Sequence, residues 1–479
     1  MNMKRTKIIL LNILILFLLV LAACTVSSGQ DNDTIIFWHS YQGYQQQIVD
    51  RMVTEYNNTI GKDNKITVEA RYAGNTDEIS YVFKKAYTSV EEQSKLPNIA
   101  IISKETAYTA VKYGLITFAE TYMNQQELNK YFDGFLEEGR LSMRSNTYLF
   151  PVSKQIQQTI INRDLFRRFN SAYPMFSEAS FASWEELMRM ASAYYAWTDA
   201  MTPEIDNDGK AFFAIESLET FVYTYTNQHI PSLIQSGYDE ITINANKDTF
   251  KDAWKIYYEG VVKGYISTST DMAHSLQNGN IVCYIGTPGK VKYSSVYIDL
   301  DGKTAPFTVL SAQYPSVHEN RVVVPHSGPG AVVVDKDEET NQASYDFLKW
   351  FTTNPNFVYI CFAGYEVPAC SEIASSEKTL NEIAGLVTKN ELQYNLLVCE
   401  YNQVLSFSTY SPAAFTGFDE LGKNMSSYLL NESKSGKSML ENYLLNGIAY
   451  DEAVNMVCSE ASFERWFAGI LDIVEGVNS

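Results

Sequence analysis

The sequence predicts an α/β protein large enough for two lobes. Residues 34–113 alternate short apolar runs with helical patterns in the order β-α-β-α-β-α, which is the signature of a mostly parallel sheet covered by helices. The 479 residues, 46% hydrophobic and 19% charged, describe a globular chain with ample core, divided into two or three ordinary domains or one two-lobed body. The first apolar run ends in Phe37-Trp38-His39-Ser40-Tyr41-Gln42-Gly43. In open α/β sheets ligands bind at the carboxyl ends of the strands, and an indole, an imidazole and a hydroxyl in a row suit such a place.

The elements follow in order. Ile35-Ile36 closes the first strand, and Tyr44 to Asn57 carries Ile48, Met52 and Val53 at helical spacing. Ile66 to Tyr72 alternates and is rich in β-branched residues, so it reads as a strand; Gly74-Asn75-Thr76 is a loop. A helix is expected over Asp77 to Val90, a break at Leu96-Pro97-Asn98, a short buried strand at Ile99 to Ile102, and a helix from Thr106 to Tyr113 that stops at Gly114. Tyr148 to Gln158 is strand-like. Ser183, with Glu186 three residues on, forms a capping box for the next helix.

The amino terminus is an export signal. Lys4, Arg5 and Lys7 precede an apolar run from Ile8 to Ala23, broken only by Asn12, and the run ends Leu21-Ala22-Ala23-Cys24. It is too short and wrongly flanked for a spanning helix. Residues 1–23 are therefore expected to be removed and residues 24–33 to serve as a polar tether. Loss of the leader takes the net charge from −19 to −22, which disfavours nucleic acid as a partner. Five further cysteines remain: Cys283, Cys361, Cys370, Cys399 and Cys458. An odd number in an exported chain leaves at least one thiol free; Cys361 and Cys370 are the one candidate bridge, with buried free thiols the alternative.

Catalytic signatures are missing: there is no Gly-x-Ser-x-Gly elbow, phosphate-binding loop or His-Glu-x-x-His, and the five histidines lack metal spacing. Glu204-x-Asp206-x-Asp208-Gly209 opens like a calcium loop, but its twelfth position is Ile215, so it reads as a turn. No cofactor and no metal are expected. The 33 tyrosines and 25 phenylalanines supply core and also faces for stacking on a ligand.

Several stretches, each short, together resemble the bacterial extracellular solute-binding proteins that serve ABC importers for sugars or glycerol 3-phosphate. Phe37-Trp38-His39-Ser40 resembles the family's opening, and Leu21-Ala22-Ala23-Cys24 its lipoprotein box. Leu149-Phe150-Pro151 through Asn162-Arg163-Asp164-Leu165-Phe166 resembles the strand that crosses between lobes, and Ser183-Trp184-Glu185-Glu186-Leu187 the helix after it. Leu276 to Gly286, the return strand Val322 to Val334, Gly364-Tyr365-Glu366-Val367-Pro368 and Leu445-Asn446-Gly447 match later motifs, with Asn280 and Cys283 in place of the usual Lys and Met. The resemblance implies a two-lobed periplasmic-binding-protein-like fold with discontinuous lobes and a hinge: residues 34–150 and 321–365 in the first lobe, 151–320 and 366–475 in the second. It implies Cys24 as the lipidated residue and a monomer held on the outer face of the cytoplasmic membrane, working with ABC permease subunits and without enzymatic activity.

The ligand-facing positions implied by the family are Trp38, His39, Asn75 and Glu105 in the first lobe and Ser153 and Gln155 on the crossover strand. Beyond these come Thr287, Tyr365, Phe415 and Phe418, with Gly328 and Gly330 admitting close backbone approach. Trp38 and Tyr365 are expected to meet the ligand from opposite sides. A neutral sugar is favoured over glycerol 3-phosphate or a glycerophosphodiester, because Tyr410 to Leu430 holds no Arg and only one cation, Lys423, whereas a phosphate is best met by a bidentate guanidinium. Lys154 on the crossover strand argues the other way. A secreted carbohydrate-active enzyme and a surface adhesin are the readings from other classes.

Overall fold

The computed structural model describes residues 33–141, 146–229, 232–236, 241–291, 296–298 and 302–478; the expected export signal, Cys24 and the expected tether up to residue 32 lie outside the described residues.

Strand β1 (Asp33–His39) turns Ile35, Phe37 and His39 inward on alternate positions. Helix α1 (Tyr44–Asn58) covers it with Ile48, Val49, Met52, Val53 and Tyr56. Strand β2 (Ile66–Tyr72) runs parallel to β1, from Asp33 opposite Ile66 to His39 opposite Tyr72. Helix α2 (Thr76–Ala86) is shorter than its pattern suggested, because a new helical turn, Val90–Gln93, restarts on its own cap at Ser89. Strand β3 (Ile99–Ile102), wholly buried, pairs parallel to the other edge of β1 and leads into α3 (Lys104–Lys112). Helix α4 (Asp133–Glu137) precedes the crossover.

The crossover is two strands rather than one. Strand β4 (Ser153–Ile156) and strand β5 (Gln158–Asn162) are split at Gln157 and belong to different sheets. Helices α5 (Arg163–Ala172) and α6 (Trp184–Asp199) come next. Ser183 accepts from the Glu186 N–H as expected, but Glu186 turns its carboxylate to Arg189, so the reciprocal half of the capping box is not made. Strand β6 (Phe213–Ile215), α7 (Leu218–Gln228), α8 (Lys247–Val262), β7 (Ile266–Ser267), β8 (Cys283–Gly286) and β9 (Val309–Ala312) complete the second sheet, in the order β9-β5-β8-β6-β7. Strands β8, β6 and β7 are parallel, and β5 runs against both its neighbours.

Strand β10 (Val323–Ser327) then returns, and β11 (Gly330–Val333) joins the first sheet antiparallel to β3, giving the order β11-β3-β1-β2. Helix α9 (Glu338–Thr353) packs Phe347 and Phe351 edge-on against Phe37. After α10 (Phe357–Gly364) come β12 (Val367–Pro368), α11 (Glu391–Ser406), β13 (Ser408–Tyr410) and the 28-residue α12 (Phe418–Leu445). Strands β12-β4-β10-β13 form a third, small sheet between the two large ones. The first sheet takes β11 from beyond the whole second sheet, and α12, which follows β11 in the chain, packs back on α7 and α8, so each lobe is discontinuous.

Two sequence ambiguities resolve. Cys283, Cys361, Cys370 and Cys399 are buried free thiols, and Cys458 is a half-buried one, so Cys361 and Cys370 do not pair. The Glu204–Gly209 stretch is a turn: Asn207 takes a left-handed φ of 62°, Thr202 Oγ1 donates to Asp208 at 2.7 Å, and the Asp208 N–H donates to Asp199 at 2.7 Å.

The third sheet has a buried acid on one side. The backbone N–H of Ile156 donates to Glu400 Oε1 at 3.2 Å, and Ser153 Oγ donates to Glu366 Oε2 at 2.5 Å. Burial pushes both carboxyls up, Glu400 well above the ordinary range, and Glu366 adds to the effect on Glu400. A carboxyl whose folded pKa is raised favours the folded state at low pH, and that advantage is lost as pH climbs from its ordinary value toward the folded one. Stability should therefore fall above the ordinary carboxyl value of 4.5, by up to ~1.4 kcal/mol per pH unit for one group. Glu400→Gln, which keeps the acceptor for Ile156, is expected to flatten that fall in urea denaturation at pH 5 and pH 8; an unchanged slope would mean that Glu400 is not held protonated.

Candidate functional site

A cavity of about 300 Å³ lies where the two lobes face each other. Thr76, Ser103 and Lys104 reach it from the first lobe, at the carboxyl ends of β2 and β3. Glu219, Thr220, Tyr223 and Thr224 line it from the first turns of α7. Strand β10 and its turn supply His326, Ser327, Gly328 and Pro329, and the chain around β13 and α12 supplies Tyr410, Ser411, Pro412 and Phe418.

Helix α7 is buried on nearly all sides; Phe221, Val222 and Tyr225 go into the core while Tyr223 meets Phe418 with ring centroids 5.6 Å apart. Tyr223 is 4% exposed and its hydroxyl has no hydrogen-bond partner in the protein. The hydroxyls of Tyr148, Tyr194, Tyr314 and Tyr401 are likewise buried and unpartnered, so it is the Tyr223 ring, not its hydroxyl, that belongs to the cavity wall.

Under the cavity sits a charged cluster. Glu138, following α4, is 2% exposed; Lys154 Nζ lies 2.5 Å from its Oε2 and His326 Nε2 3.4 Å from the same oxygen, while Lys104 Nζ lies 3.5 Å from Oε1. Ser411 Oγ donates to Oε1 at 2.9 Å. Burial alone would raise the Glu138 carboxyl, but Lys154, Lys104 and then His326 overcome it and hold it well below the usual range. Burial draws Lys104 down to about 8, Glu138 offsetting only part, and it likewise lowers His326, which is neutral. The remaining donors of the lysines are used on the backbone: Lys154 donates to the carbonyls of Gly328 at 2.8 Å and Pro329 at 3.2 Å. Lys104 donates to Ser411 Oγ and to the Pro412 carbonyl, both at 2.8 Å, with its Nζ 4.2 Å from the centre of the Phe418 ring. Both ammonium groups thus fasten interlobe segments.

Of the positions expected to meet a ligand, Gly328 and Phe418 line the cavity. Gly328 sits at φ 129°, a conformation that favours glycine. Asn75 caps α2 in a reciprocal box with Glu78, one residue before the lining Thr76. Glu105 accepts from the N–H groups of Gly417 and Asp419. Phe415 is buried and packs edge-on against Phe418 at 5.7 Å.

The others lie apart. Trp38 is half-buried against the smaller first-lobe core, and His39 is wholly buried, with both ring nitrogens unpartnered and its pKa lowered by burial to about 4. Ser153 is taken by Glu366, on the face of β4 opposite Lys154, and Gln155 is half-buried beside Ser327. Thr287 donates through both N–H and Oγ1 to Glu216. Gly330 is packed so that a Cβ would lie 2.5 Å from Leu149. Tyr365 ends α10 in a left-handed conformation, φ 53°, with its ring buried; neither it nor Trp38 reaches the cavity, so the expected pair across the cleft is not formed.

Sequence reasoning missed Lys104, Glu138, Glu219, Tyr223, His326 and Tyr410. His326 stood within the return-strand motif and Lys104 opened a visible helix, so both carried some signal. Glu138 and Tyr223 carried none, since each looks locally like ordinary helix surface or core.

Among the described residues no group of three or more His, Cys, Asp and Glu side chains is placed to hold a metal ion, and no helix is long and apolar enough to cross a membrane.

Comparison with known proteins gives one family match, to the bacterial extracellular solute-binding proteins, over residues 51–384. A sequence comparison with curated proteins gives no match. Among solved structures, the chain is similar to a cyclic α-maltosyl-1,6-maltose binding protein from Arthrobacter globiformis, at 15% identity and a TM-score of 0.60, over 92% of this chain and 99% of that one. It is similar to UgpB from Mycobacterium tuberculosis, solved with glycerophosphocholine, at 13% identity and a TM-score of 0.61, over 93% and 99% of the two chains. The sugar-binding protein MalE from Xanthomonas citri aligns at 13% identity and a TM-score of 0.60, over 91% and 98%. At these identities the likeness is one of fold.

Breaking the charged cluster has a predictable cost. Glu138→Gln leaves two buried ammonium groups without a counter-charge and is expected to lower stability by ~3–5 kcal/mol in urea denaturation at pH 7. Glu69→Gln, in the exposed Arg71 pair, should leave the midpoint where it is. Equal midpoints for the two variants would show that the cluster is not structural.

Proposed function

Because the chain belongs to the bacterial extracellular solute-binding proteins, the exported substrate-binding components of ABC-type importers, we propose that it captures a neutral carbohydrate in the interlobe cavity and delivers it to membrane permease subunits. Tyr223, Tyr410 and Phe418 give the cavity aromatic faces for the C–H surfaces of a sugar ring, and Thr220, Thr224, Ser327 and Glu219 give it polar groups for hydroxyls. The observation that carries the reading is the meeting of three aromatic rings with uncharged hydroxyl groups in one interlobe wall. A volume of about 300 Å³ is at the low end for ligand sites and suits a small saccharide.

A glycerophosphodiester is the second reading, favoured by the two lysines beside the cavity. It is the weaker one, since both ammonium groups are already engaged by Glu138 and by backbone carbonyls and no arginine lines the wall. We further propose that the chain is held at the membrane by lipid on Cys24, as a monomer that closes on its ligand by a hinge movement.

Calorimetry against maltose, maltotriose, glycerophosphocholine and glycerol 3-phosphate tests the ligand class. Binding of a sugar is expected, weakened about tenfold in Tyr410→Ala, the loss of one stacking face. Micromolar binding of glycerophosphocholine with no heat from either sugar would overturn the carbohydrate reading. For the anchor, Cys24→Ala should release the protein from the membrane fraction or leave its precursor uncut; a variant processed and retained like the parent would refute lipidation.

A further inference from the structure

Helix α12 begins at Gly417, a left-handed residue at φ 93° that has no side chain with which to cap the helix. The cap comes from the other lobe. Glu105, in the first turn of α3, accepts from the Gly417 N–H with Oε1 at 3.1 Å and from the Asp419 N–H with Oε2 at 2.7 Å. These two amides flank Phe418, whose ring lines the cavity. The same helix holds the preceding strap at further points: Lys104 at Ser411 and Pro412, and Lys112 Nζ at Thr416 Oγ1, 3.3 Å away. Helix α12 itself is fastened to the second lobe, where the Glu219 N–H of α7 donates to Ser426 Oγ at 3.0 Å. The Glu105 carboxylate therefore joins the two lobes through a helix end that has no cap of its own.

We propose that Glu105 is a positioning residue for ligand capture: by capping α12 across the cleft it latches the lobes together and fixes the Phe418 ring against the ligand, and the latch tightens as pH falls. Its ligand clause rests on the proposed function; the latch itself does not.

The pH dependence follows from what faces Asp419. Glu105 and Lys104 approach from α3, Lys84 from α2 and the Tyr223 ring from α7. Burial and then the negative charge of Glu105 raise Asp419 to about 6, with Lys84 and Lys104 offsetting part of this. Opening the cleft takes Asp419 away from Glu105 and into water, toward its ordinary value of 3.8. The closed arrangement binds the proton more tightly, so closure gains as pH falls through 6 and its gain is complete below 3.8. Between pH 7 and pH 5 the closed-to-open ratio should rise roughly tenfold.

Double electron–electron resonance reads this without any ligand. Nitroxides are placed on Tyr81→Cys in α2 and Leu445→Cys at the end of α12, both exposed, with Cys458→Ser removing the half-buried native thiol. The parent should show the short separation gaining roughly tenfold over the long one from pH 7 to pH 5. Asp419→Asn should hold the short separation at both pH values, Glu105→Ala should favour the long one at both, and Glu105→Gln, which keeps an acceptor, should restore the short one without pH dependence. Distributions that are the same in the parent and in Glu105→Ala, or a parent that does not change with pH, would overturn the proposal. Failure of every sugar in the calorimetric panel would leave these distances untouched, so the two readings fail separately.

Discussion

The ionised carboxylate of Glu138 is the fixed point around which the interlobe region is assembled. Four stretches of chain that meet nowhere in sequence converge on it: α3 through Lys104, the crossover strand β4 through Lys154, the return strand β10 through His326, and the strap after β13 through Ser411. A buried ion is costly to desolvate, and such a cluster rarely adds net stability over well-packed apolar groups. What it adds here is position. Each lysine has three donors to satisfy, and it does so within the protein only when the carbonyls of Gly328, Pro329 and Pro412 are where they are. The backbone turns that wall the cavity are therefore set by the cluster.

The crossover strand shows how pleating separates two regimes of the same chemistry. Successive side chains of β4 point to opposite faces. Lys154 meets Glu138, whose carboxyl two ammonium groups hold well below the usual range; Ser153 meets Glu366, whose carboxyl burial pushes up, as it does that of Glu400. The two faces thus shift their carboxyls in opposite directions. A strand between them can tilt only by giving up specific partners on both sides, which favours a few discrete arrangements over continuous bending.

Most of the fold was legible because it depends on local pattern. Alternation in Ile66–Tyr72, the helical spacing of Ile48, Met52 and Val53, and the buried run Ile99–Ile102 all specify their elements without help from distant chain. The break at Gln157 was not visible, since no glycine, proline or other turn residue marks it and only the sheets they join distinguish β4 from β5. The site was harder to read. Gly328 and Phe418, named through resemblance, line the cavity, but Tyr223 lies on a mixed helix with nothing local to single it out, and Glu138 has meaning only once Lys104, Lys154 and His326 surround it. Trp38, His39 and Tyr365 were the most conspicuous residues in their motifs, and the structure places them outside the cavity, in or against the core, where large aromatics most often lie.

The charge of the site needs to be considered with its partners rather than by counting cations. Lys104 and Lys154 against Glu138, with His326 neutral, leave one excess positive charge near the cavity, which at first sight invites an anion. An incoming phosphate would have to take donors away from Glu138 and from the carbonyls of Gly328, Pro329 and Pro412, so the new contact would be made at the expense of existing ones. The chain as a whole carries −19, and Glu219 adds a negative group to the opposite wall. A neutral ligand disturbs none of these bonds. It can use the ring faces of Tyr223, Tyr410 and Phe418 and the hydroxyls that line the cavity. The lysines then act as structural cations: their charge is directed inward to hold the cavity's shape, and recognition is left to the aromatic and hydroxyl groups on its surface.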